Sequence, residues 1–284
     1  MNFQKVGIVG SGIMGSGIAE VVATAGASVI LRSRTQETLD TMLEGLEKSL
    51  AKQVEKQKHT QANADLIRSR VSTTMSFDDL AECDLIIESV VEDIVVKKAV
   101  FGELDRVMNP AAILASNTST LSIMELAMAI SHPERVCGVH FFNPATLMPL
   151  VEIVRPLCAS DETIRAVTNF ALACAKEPVE VKDQPGFIVN ALLFPYLNNA
   201  VRLLEQGAAT KEGIDIAMKG GCGFPMGPFA LLDLVGLDTS VAILDALHAG
   251  FDDANFAPVP LLRQMVAEGR LGRKSGQGFY GYRP

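Results

Sequence analysis

A glycine-rich turn near the start of the chain restricts its fold more than any other feature of the sequence. Residues 5–10 form a short, apolar, partly β-branched stretch, which is typical of a buried parallel strand. A G-x-G-x-x-G motif follows at once and opens residues 13–25, a proline-free stretch that suits a helix packed on a sheet. Such glycines permit a tight turn and let a pyrophosphate approach the N–H groups of the helix N-terminus, although a purely structural turn is the alternative. The predicted cofactor-binding residues of this turn are Gly10, Gly12, Ile13, Met14 and Gly15.

Strand-like and helix-like stretches alternate through the first two thirds of the chain. This alternation predicts an α/β Rossmann domain with a mostly parallel, doubly wound sheet and helices on both faces. The first of the later helices is polar and carries an apolar stripe, formed by Leu39, Leu43, Leu46 and Leu50. Further strands are predicted at residues 28–31, 84–88, 112–115, 135–140 and 150–154, and helices at residues 36–58, 95–108 and 123–130.

The pattern of the sequence changes after residue 184. Residues 187–205 predict one long apolar helix, interrupted only by Pro195, and helical segments continue to residue 267 without a convincing strand. We therefore predict a dinucleotide-binding Rossmann domain over residues 1–184. An all-α substrate and dimerisation domain is predicted over residues 185–284.

Composition and charge exclude several other classes of protein. The net charge of −8 argues against a nucleic-acid partner. The sequence contains no run of eighteen or more uncharged apolar residues, so we expect no membrane span. The five cysteines are odd in number and form no CxxC pair, which favours a reducing cytoplasm over a disulfide framework or zinc site. The four histidines show no ligand spacing, so we expect no metal. Because the first strand begins at residue 5, we also expect no signal peptide.

The end of the second predicted strand bears on the choice of cofactor. A carboxylate about twenty residues beyond the glycine motif usually binds the ribose 2′-hydroxyl of NAD. Ser33 occupies that place here, flanked by Arg32 and Arg34. A hydroxyl with guanidinium groups suits a 2′-phosphate, which a carboxylate would repel. The sequence therefore favours NADP(H), with NAD(H) as the alternative if the two arginines are only solvated loop charges.

A histidine and a carboxylate form the second chemical feature of the sequence. His140 ends a predicted parallel strand, where open α/β sheets bind their ligands, and Glu152 lies in an otherwise apolar strand. Each residue by itself has an ordinary explanation, as a core or surface histidine and as an edge-strand charge. Together they can form an acid–base pair, because a carboxylate on one ring nitrogen leaves the other nitrogen to take a proton. Hydride removal from an alcohol requires such a base.

Five short motifs resemble those of a known protein family. They are SNTS at residues 116–119, HFFNP at 140–144, PGFIVN at 185–190, MGPF at 226–229 and GQGFY at 276–280. Over essentially its whole length the chain resembles the short-chain 3-hydroxyacyl-CoA dehydrogenases, and most closely the bacterial ones that act on 3-hydroxybutyryl-CoA. The resemblance implies a homodimer that interconverts (S)-3-hydroxyacyl-CoA and 3-ketoacyl-CoA by hydride transfer with a nicotinamide cofactor.

The resemblance also implies roles for individual residues. His140 would be the general base and Glu152 its orienting partner. Ser119 and Asn190 would bind the 3-oxygen and thioester region of the substrate. From the residues alone, Ser119 could equally be a helix cap and Asn190 a core amide satisfied by the backbone.

Further contacts implied by the resemblance lie around the cofactor and coenzyme A. The predicted contacts of the cofactor are Glu92, Lys97, Asn117 and Asn143. Ser49, Lys52 and Lys56 correspond to the helix that contacts coenzyme A, although lysines four residues apart commonly mark only a solvated helix face.

The sequence departs from the family pattern at two positions and leaves two rival functions. Ser33 replaces the usual aspartate, and Ala191 replaces an arginine that commonly follows PGFIVN.

One rival function is that of a β-hydroxyacid dehydrogenase of small substrates. Such an enzyme uses a catalytic lysine, but Lys176 and Lys182 lie outside a matching motif. The other rival is a non-catalytic cofactor-binding relative.

Overall fold

The computed structural model describes residues 3–10 and 12–282, so Ser11 of the glycine motif lies outside the described residues. The chain divides into two compact units. The first unit ends at Asp183 and the second begins at Gln184.

The first unit contains an eight-stranded sheet in the order β3-β2-β1-β4-β5-β6-β7-β8. Every neighbouring pair in it is parallel except β6 and β7, which are antiparallel. The mostly parallel α/β fold predicted from the sequence is therefore confirmed. The strands are β1 (Lys5–Val9), β2 (Ser28–Arg32), β3 (Val71–Thr74), β4 (Leu85–Glu88), β5 (Ile113–Ser116), β6 (Val136–Phe141), β7 (Leu150–Arg155) and β8 (Glu177–Lys182).

Helices accompany this sheet and bury its apolar strands. The residues of β4, β5 and β6 are all buried, as expected of central parallel strands covered on both faces. Their position matters for function, since polar residues at the carboxyl ends of these strands are held by a rigid core. The helices are α1 (Ile13–Thr24), α2 (Gln36–Glu55), α3 (Gln61–Ser69), α4 (Ile94–Val107), α5 (Ile123–Ala127) and α6 (Asp161–Ala173).

Two strands of the sheet were missed by the sequence analysis. β3 reads VSTT and is mostly polar, and β8 reads EPVEVK, in which Pro178 and charged residues obscure the pattern. Both are edge strands of the sheet. Within the part of the chain that the structure describes, one side of each has no neighbouring strand, so polar residues and proline are tolerated there.

Two helices end a few residues before the approximate limits predicted from the sequence. α2 ends at Glu55, and its buried stripe includes Met42 while Leu43 is only half-buried, because spacings of three and four residues follow one helix face. α5 stops at Ala127, three residues before its predicted end.

The second unit is helical. Its first helix differs from the prediction in where it begins and in its continuity at Pro195. It begins at Val189, because Gly186 and Phe187 both adopt positive φ angles, and it continues through Pro195 without interruption. Its helices are α7 (Val189–Glu205), α8 (Lys211–Cys222), α9 (Pro228–Val235), α10 (Leu237–Phe251) and α11 (Pro260–Ala267). No helix within the described residues is both long enough and apolar enough to cross a bilayer.

A buried aspartate holds residues 279–282 against helix α9 within the second unit. Asp233 of α9 is 1% exposed and accepts hydrogen bonds from the N–H groups of Phe279 and Tyr280, each at 2.8 Å. It also accepts one from the hydroxyl of Tyr282 at 3.0 Å. This satisfied carboxylate gives the GQGFY segment recognised in the sequence a structural role.

Candidate active site

An imidazole–carboxylate pair lies on the antiparallel strands β6 and β7. His140 and Glu152 face each other in the register of these strands, which places both side chains on the same face of the sheet. His140 Nδ1 lies 2.8 Å from Glu152 Oε2, and the two side chains are 5% and 1% exposed. A carboxylate on Nδ1 holds the proton there and presents Nε2 as the acceptor. The structure thus joins the two residues as the sequence predicted.

Ser119 lies on the other side of the imidazole ring. Its hydroxyl Oγ is 3.1 Å from His140 Nε2, the nitrogen that Glu152 leaves available. The cap of α5 is Ser122, whose Oγ accepts a hydrogen bond from the N–H of Glu125. The alternative reading of Ser119 as a helix cap is therefore wrong. Ser119, His140 and Glu152 form a continuous hydrogen-bonded chain.

Glu92 holds the loop that carries Ser119. Its Oε1 accepts hydrogen bonds from the Thr118 hydroxyl at 2.6 Å and from the N–H groups of Ser119 and Thr120 at 2.8 and 3.1 Å. Burial by itself would raise the pKa of Glu92, but Lys97 and these hydrogen bonds hold it below its usual value. An ionised Glu92 thus orients the loop at the imidazole.

Lys97 is buried beneath the same loop. Its Nζ lies 2.8 Å from Glu88 Oε1 and 3.4 Å from Glu92 Oε2, and its side chain is 1% exposed. Glu88 also accepts hydrogen bonds from the Ser116 hydroxyl at 2.7 Å and from the N–H of Val90 at 2.6 Å. Lys97 and Glu92 therefore order the ends of β4 and β5, and their contact with a cofactor stays a prediction.

Glu88 and Ser116 are site residues that the sequence analysis missed. Glu88 ends the apolar strand β4, just as Glu152 lies in the apolar strand β7. A lone carboxylate in an apolar strand needs a buried partner, and this signal, which led to Glu152, would also have found Glu88.

Asn117 connects the carboxyl ends of three neighbouring strands. Its N–H donates to the carbonyl of Glu88, and its Oδ1 accepts from the N–H of Phe141 at 2.8 Å. Its Nδ2 donates to the hydroxyl of Ser89 at 3.2 Å. Asn117 is thereby placed at the strand ends, where the sequence predicted a cofactor contact.

The glycine turn has the geometry that a dinucleotide-binding turn requires. Gly10 has a φ of +138°, and a Cβ there would lie 2.2 Å from the carbonyl oxygen of Ser89. A Cβ at Gly15 would lie 2.4 Å from the carbonyl oxygen of Gly10. By contrast, a Cβ at Gly12 would meet no atom of the described residues within 4 Å, apart from its chain neighbours, so space lies open at the start of α1. Exposed Ile13 and half-buried Met14 follow it.

The residues after β2 carry two positive charges. Ser33 is buried and its N–H donates to the carbonyl of Thr74, while Arg34 is exposed. The Arg32 guanidinium lies 3.7 Å from the centre of the Phe77 ring. Burial and the charge of Arg34 lower the pKa of Arg32, against a weaker opposite effect of Glu103. The two arginines are thus close enough to create a shared positive potential beside Ser33.

A cavity of about 360 Å³ lies in the first unit between α1, α2 and the loop that joins β6 to β7. Ser49 of α2 and Asn143 of the loop line it. Lys52, in the last turn of α2, and Lys56, directly after it, are exposed and do not line the cavity. The structure therefore brings one of the three predicted coenzyme A contacts to the cavity.

Asn190 belongs to the second unit, where it is buried at the start of α7. Its predicted contact with the substrate stays a prediction.

The buried Glu20, which also lines this cavity, makes stability depend on pH. Burial raises the pKa of Glu20, while Ser49, Gln53 and His59 act in the opposite direction. Stability is therefore lost as the pH rises through this raised value, because the folded state then carries a poorly solvated charge. We expect Glu20→Gln to raise Tm at about pH 8 by a few degrees and to change it less near pH 4.

Thermal unfolding followed by circular dichroism over this pH range measures the effect. Glu55→Gln, at the exposed end of α2, is the matched control and should leave Tm nearly unchanged. Equal Tm shifts at high and low pH would contradict the role given to the charge of Glu20.

The fold and this site together define a class of protein. A glycine turn opens the first βα unit of a parallel sheet, and an imidazole–carboxylate pair with a neighbouring hydroxyl lies at the carboxyl ends of its parallel strands. Dinucleotides bind such sheets at this edge, and proton removal by imidazole accompanies hydride transfer from an alcohol. The chain has the architecture of a nicotinamide-dependent dehydrogenase.

Comparisons with known proteins narrow this class to one family. The family described as "3-hydroxyacyl-CoA dehydrogenase, NAD binding domain" matches residues 5–184, and "3-hydroxyacyl-CoA dehydrogenase, C-terminal domain" matches residues 186–282. The chain belongs to the 3-hydroxyacyl-CoA dehydrogenase family, as the resemblance indicated.

Individual relatives cover the whole chain. A probable 3-hydroxybutyryl-CoA dehydrogenase of Deinococcus radiodurans is 45% identical over 98% of this chain and 100% of its own length. A 3-hydroxybutyryl-CoA dehydrogenase of Clostridioides difficile is 46% identical over 98% of this chain and 99% of its own. The crystal structure of an (S)-3-hydroxybutyryl-CoA dehydrogenase from Ralstonia eutropha superposes with a TM-score of 0.97, at 40% identity, covering 99% of this chain and 100% of that one.

Proposed function

We propose that this protein interconverts (S)-3-hydroxyacyl-CoA and 3-ketoacyl-CoA thioesters, with 3-hydroxybutyryl-CoA and acetoacetyl-CoA as the substrate pair. The observation that carries the proposal is the chain of hydrogen bonds from Ser119 through His140 to Glu152. The similar proteins from Deinococcus radiodurans, Clostridioides difficile and Ralstonia eutropha are named as 3-hydroxybutyryl-CoA dehydrogenases, which supports the same substrate class.

The residues of the site account for the proton in this reaction. In the oxidation, His140 Nε2 takes the proton of the substrate 3-hydroxyl, and the C3–H bond breaks as a hydride leaves. Glu152 stabilises the imidazolium that forms, since a buried carboxylate lies 2.8 Å from the other ring nitrogen. A nicotinamide cofactor held by the glycine turn would supply the hydride acceptor for this oxidation and the hydride donor for the reverse reaction. In that direction the imidazolium donates its proton to the 3-oxygen.

Ser119 and Asn190 are proposed to bind the substrate. The Ser119 hydroxyl lies within hydrogen-bond distance of the nitrogen that takes the proton, so it can also hold the substrate oxygen beside that nitrogen. Asn190 would contribute its amide from the second unit.

NADP(H) is the proposed cofactor, with NAD(H) as the alternative. The shared positive potential of Arg32 and Arg34 supports this choice, because a 2′-phosphate carries negative charge and Ser33 does not repel it. Gly10, Gly12 and Gly15 would hold the pyrophosphate, and Glu92, Lys97, Asn117 and Asn143 would surround the nicotinamide end. Ser49, Lys52 and Lys56 would contact coenzyme A.

We further propose that the two domains of the chain have different functions. Residues 1–184 would bind the dinucleotide, and residues 185–284 would contribute to substrate binding and form a cytoplasmic homodimer. Apolar side chains of the second unit that are exposed in the single chain support a dimer, among them Leu192 at 71% and Ile216 at 68%. The five cysteines are free thiols, in keeping with a reducing compartment.

A spectrophotometric assay tests the reaction. The purified protein is expected to oxidise NADPH, and more slowly NADH, when acetoacetyl-CoA is added. Free acetoacetate is the control and should give little turnover, because it lacks the coenzyme A moiety. Turnover of free acetoacetate without turnover of acetoacetyl-CoA would contradict the proposal and favour a β-hydroxyacid dehydrogenase.

A further inference from the structure

The cavity of the first unit has one wall that is not part of a helix. Residues 143–146, in the loop between β6 and β7, close it opposite α1 and α2. Ala145 is buried at the centre of this wall, and its Cβ would lie 3.3 Å from a Cβ built on Gly17 of α1. The loop and α1 therefore pack closely, and a small movement of the loop would change the width of the cavity.

Lys176 lies behind this wall, directly before the edge strand β8. It is 8% exposed, and its Nζ donates hydrogen bonds to the carbonyl oxygens of Ala145 at 2.6 Å and Met148 at 2.9 Å. Among the described residues, no carboxylate forms an ion pair with it. These contacts exclude Lys176 as the catalytic lysine of the rival mechanism, since its ammonium is bound to the backbone of the loop.

A buried ammonium group without an acidic partner is costly, so its contacts must account for its presence. Burial lowers the pKa of Lys176, with a weaker opposing effect of Cys174, which agrees with this cost. The gain lies in the loop, because without Lys176 the buried carbonyl group of Ala145 would lose its donor, and the partly buried carbonyl group of Met148 would lose the same donor. A single side chain thus holds the loop at two points three residues apart.

We propose that Lys176 is a positioning residue, which fixes the loop of residues 143–148 as the wall of the cavity that receives the coenzyme A part of the substrate. This inference rests on the proposed function, because Ser49, a predicted coenzyme A contact, lines the same cavity. Lys176 does not touch the reacting atoms. It acts through the carbonyl groups of Ala145 and Met148 on the shape of the binding site.

Steady-state kinetics of Lys176→Met test the proposal. Methionine fills similar space but donates no hydrogen bond, so we expect KM for acetoacetyl-CoA to rise about tenfold, equivalent to the loss of roughly 1.4 kcal/mol of binding. kcat should change less than twofold. With the N-acetylcysteamine thioester of acetoacetate, which lacks the nucleotide of coenzyme A, the effect of the substitution on kcat/KM should nearly disappear.

Two further variants separate this role from general destabilisation. Lys182→Met removes the exposed lysine at the far end of β8, the strand that follows Lys176, and should leave all kinetic constants unchanged. Lys176→Gln keeps an amide donor, one bond shorter, and should have a KM between those of the wild type and the Met variant. It also provides the comparison if Lys176→Met does not fold.

The outcomes distinguish this inference from the proposed function. Absence of wild-type turnover with acetoacetyl-CoA would refute the proposed function. Normal wild-type turnover, with an unchanged KM in both Lys176 variants or with equal losses for both thioesters, would overturn the role of Lys176 alone.

Discussion

Replacing His140 with Gln is expected to lower kcat for acetoacetyl-CoA reduction by about a thousandfold or more. Glutamine is similar in size and can still accept a hydrogen bond, but it cannot exchange a proton at neutral pH. Reduction requires both a hydride at C3 and a proton at the 3-oxygen. Without the proton donor, hydride transfer to the bound substrate is therefore strongly slowed. Stopped-flow or steady-state absorbance of the reduced nicotinamide measures the loss.

Cofactor binding should survive this substitution. We expect the Kd for reduced cofactor, measured by fluorescence titration, to change less than threefold, because the glycine turn does not involve His140. His132→Gln is the matched control, since that histidine is about half exposed and faces Glu134. A His140→Gln enzyme with near-normal kcat would show that another group transfers the proton.

Replacing Ser33 with Asp is expected to reverse the preference for the cofactor. A carboxylate at this position can accept a hydrogen bond from the ribose 2′-hydroxyl of NADH and repels the 2′-phosphate of NADPH. We expect the ratio of kcat/KM for NADPH to that for NADH to fall by about a hundredfold, as loss of charge-assisted hydrogen bonds would produce. Initial rates over a range of each cofactor, at saturating acetoacetyl-CoA, give this ratio.

A second charge variant checks that the effect is local. Ser28→Asp places the same charge at the exposed opposite end of β2 and should leave the ratio unchanged. A wild-type enzyme that uses only NADH, together with an unchanged ratio in Ser33→Asp, would refute the assignment of Arg32 and Arg34 to a 2′-phosphate.

The site shows which of its contacts a sequence can predict. His140 and Glu152 were paired correctly because a charged residue in an apolar strand needs a partner, and few polar residues in the neighbouring strand could supply it. The sequence could not show in the same way which of the two serines, Ser119 or Ser122, contacts the imidazole and which caps the helix. Both serines precede the same short helix, and only the path of the loop directs one to the imidazole and the other to the helix N-terminus.

The lysines also show that a sequence does not reveal every contact of a side chain. Lys97 is predicted to contact the cofactor, and the sequence did not indicate that its ammonium group is buried between Glu88 and Glu92. Lys176 was weighed as a catalytic group, yet it binds two backbone carbonyls. A lysine side chain is long and flexible, so its position in the sequence does not tell which of several groups within its reach it contacts.

The sequence by itself determined the Rossmann architecture, the family and the pairing of His140 with Glu152. Each depends on local signals: the glycine spacing, the alternation of strands and helices, and short motifs such as HFFNP. Only the tertiary structure decided that the edge strands β3 and β8 complete the sheet, that Ser119 faces the imidazole, and that Lys176 supports the cavity wall. These contacts join residues about twenty or more positions apart, and the order of strands in the sheet brings them together, which no local pattern of residues specifies.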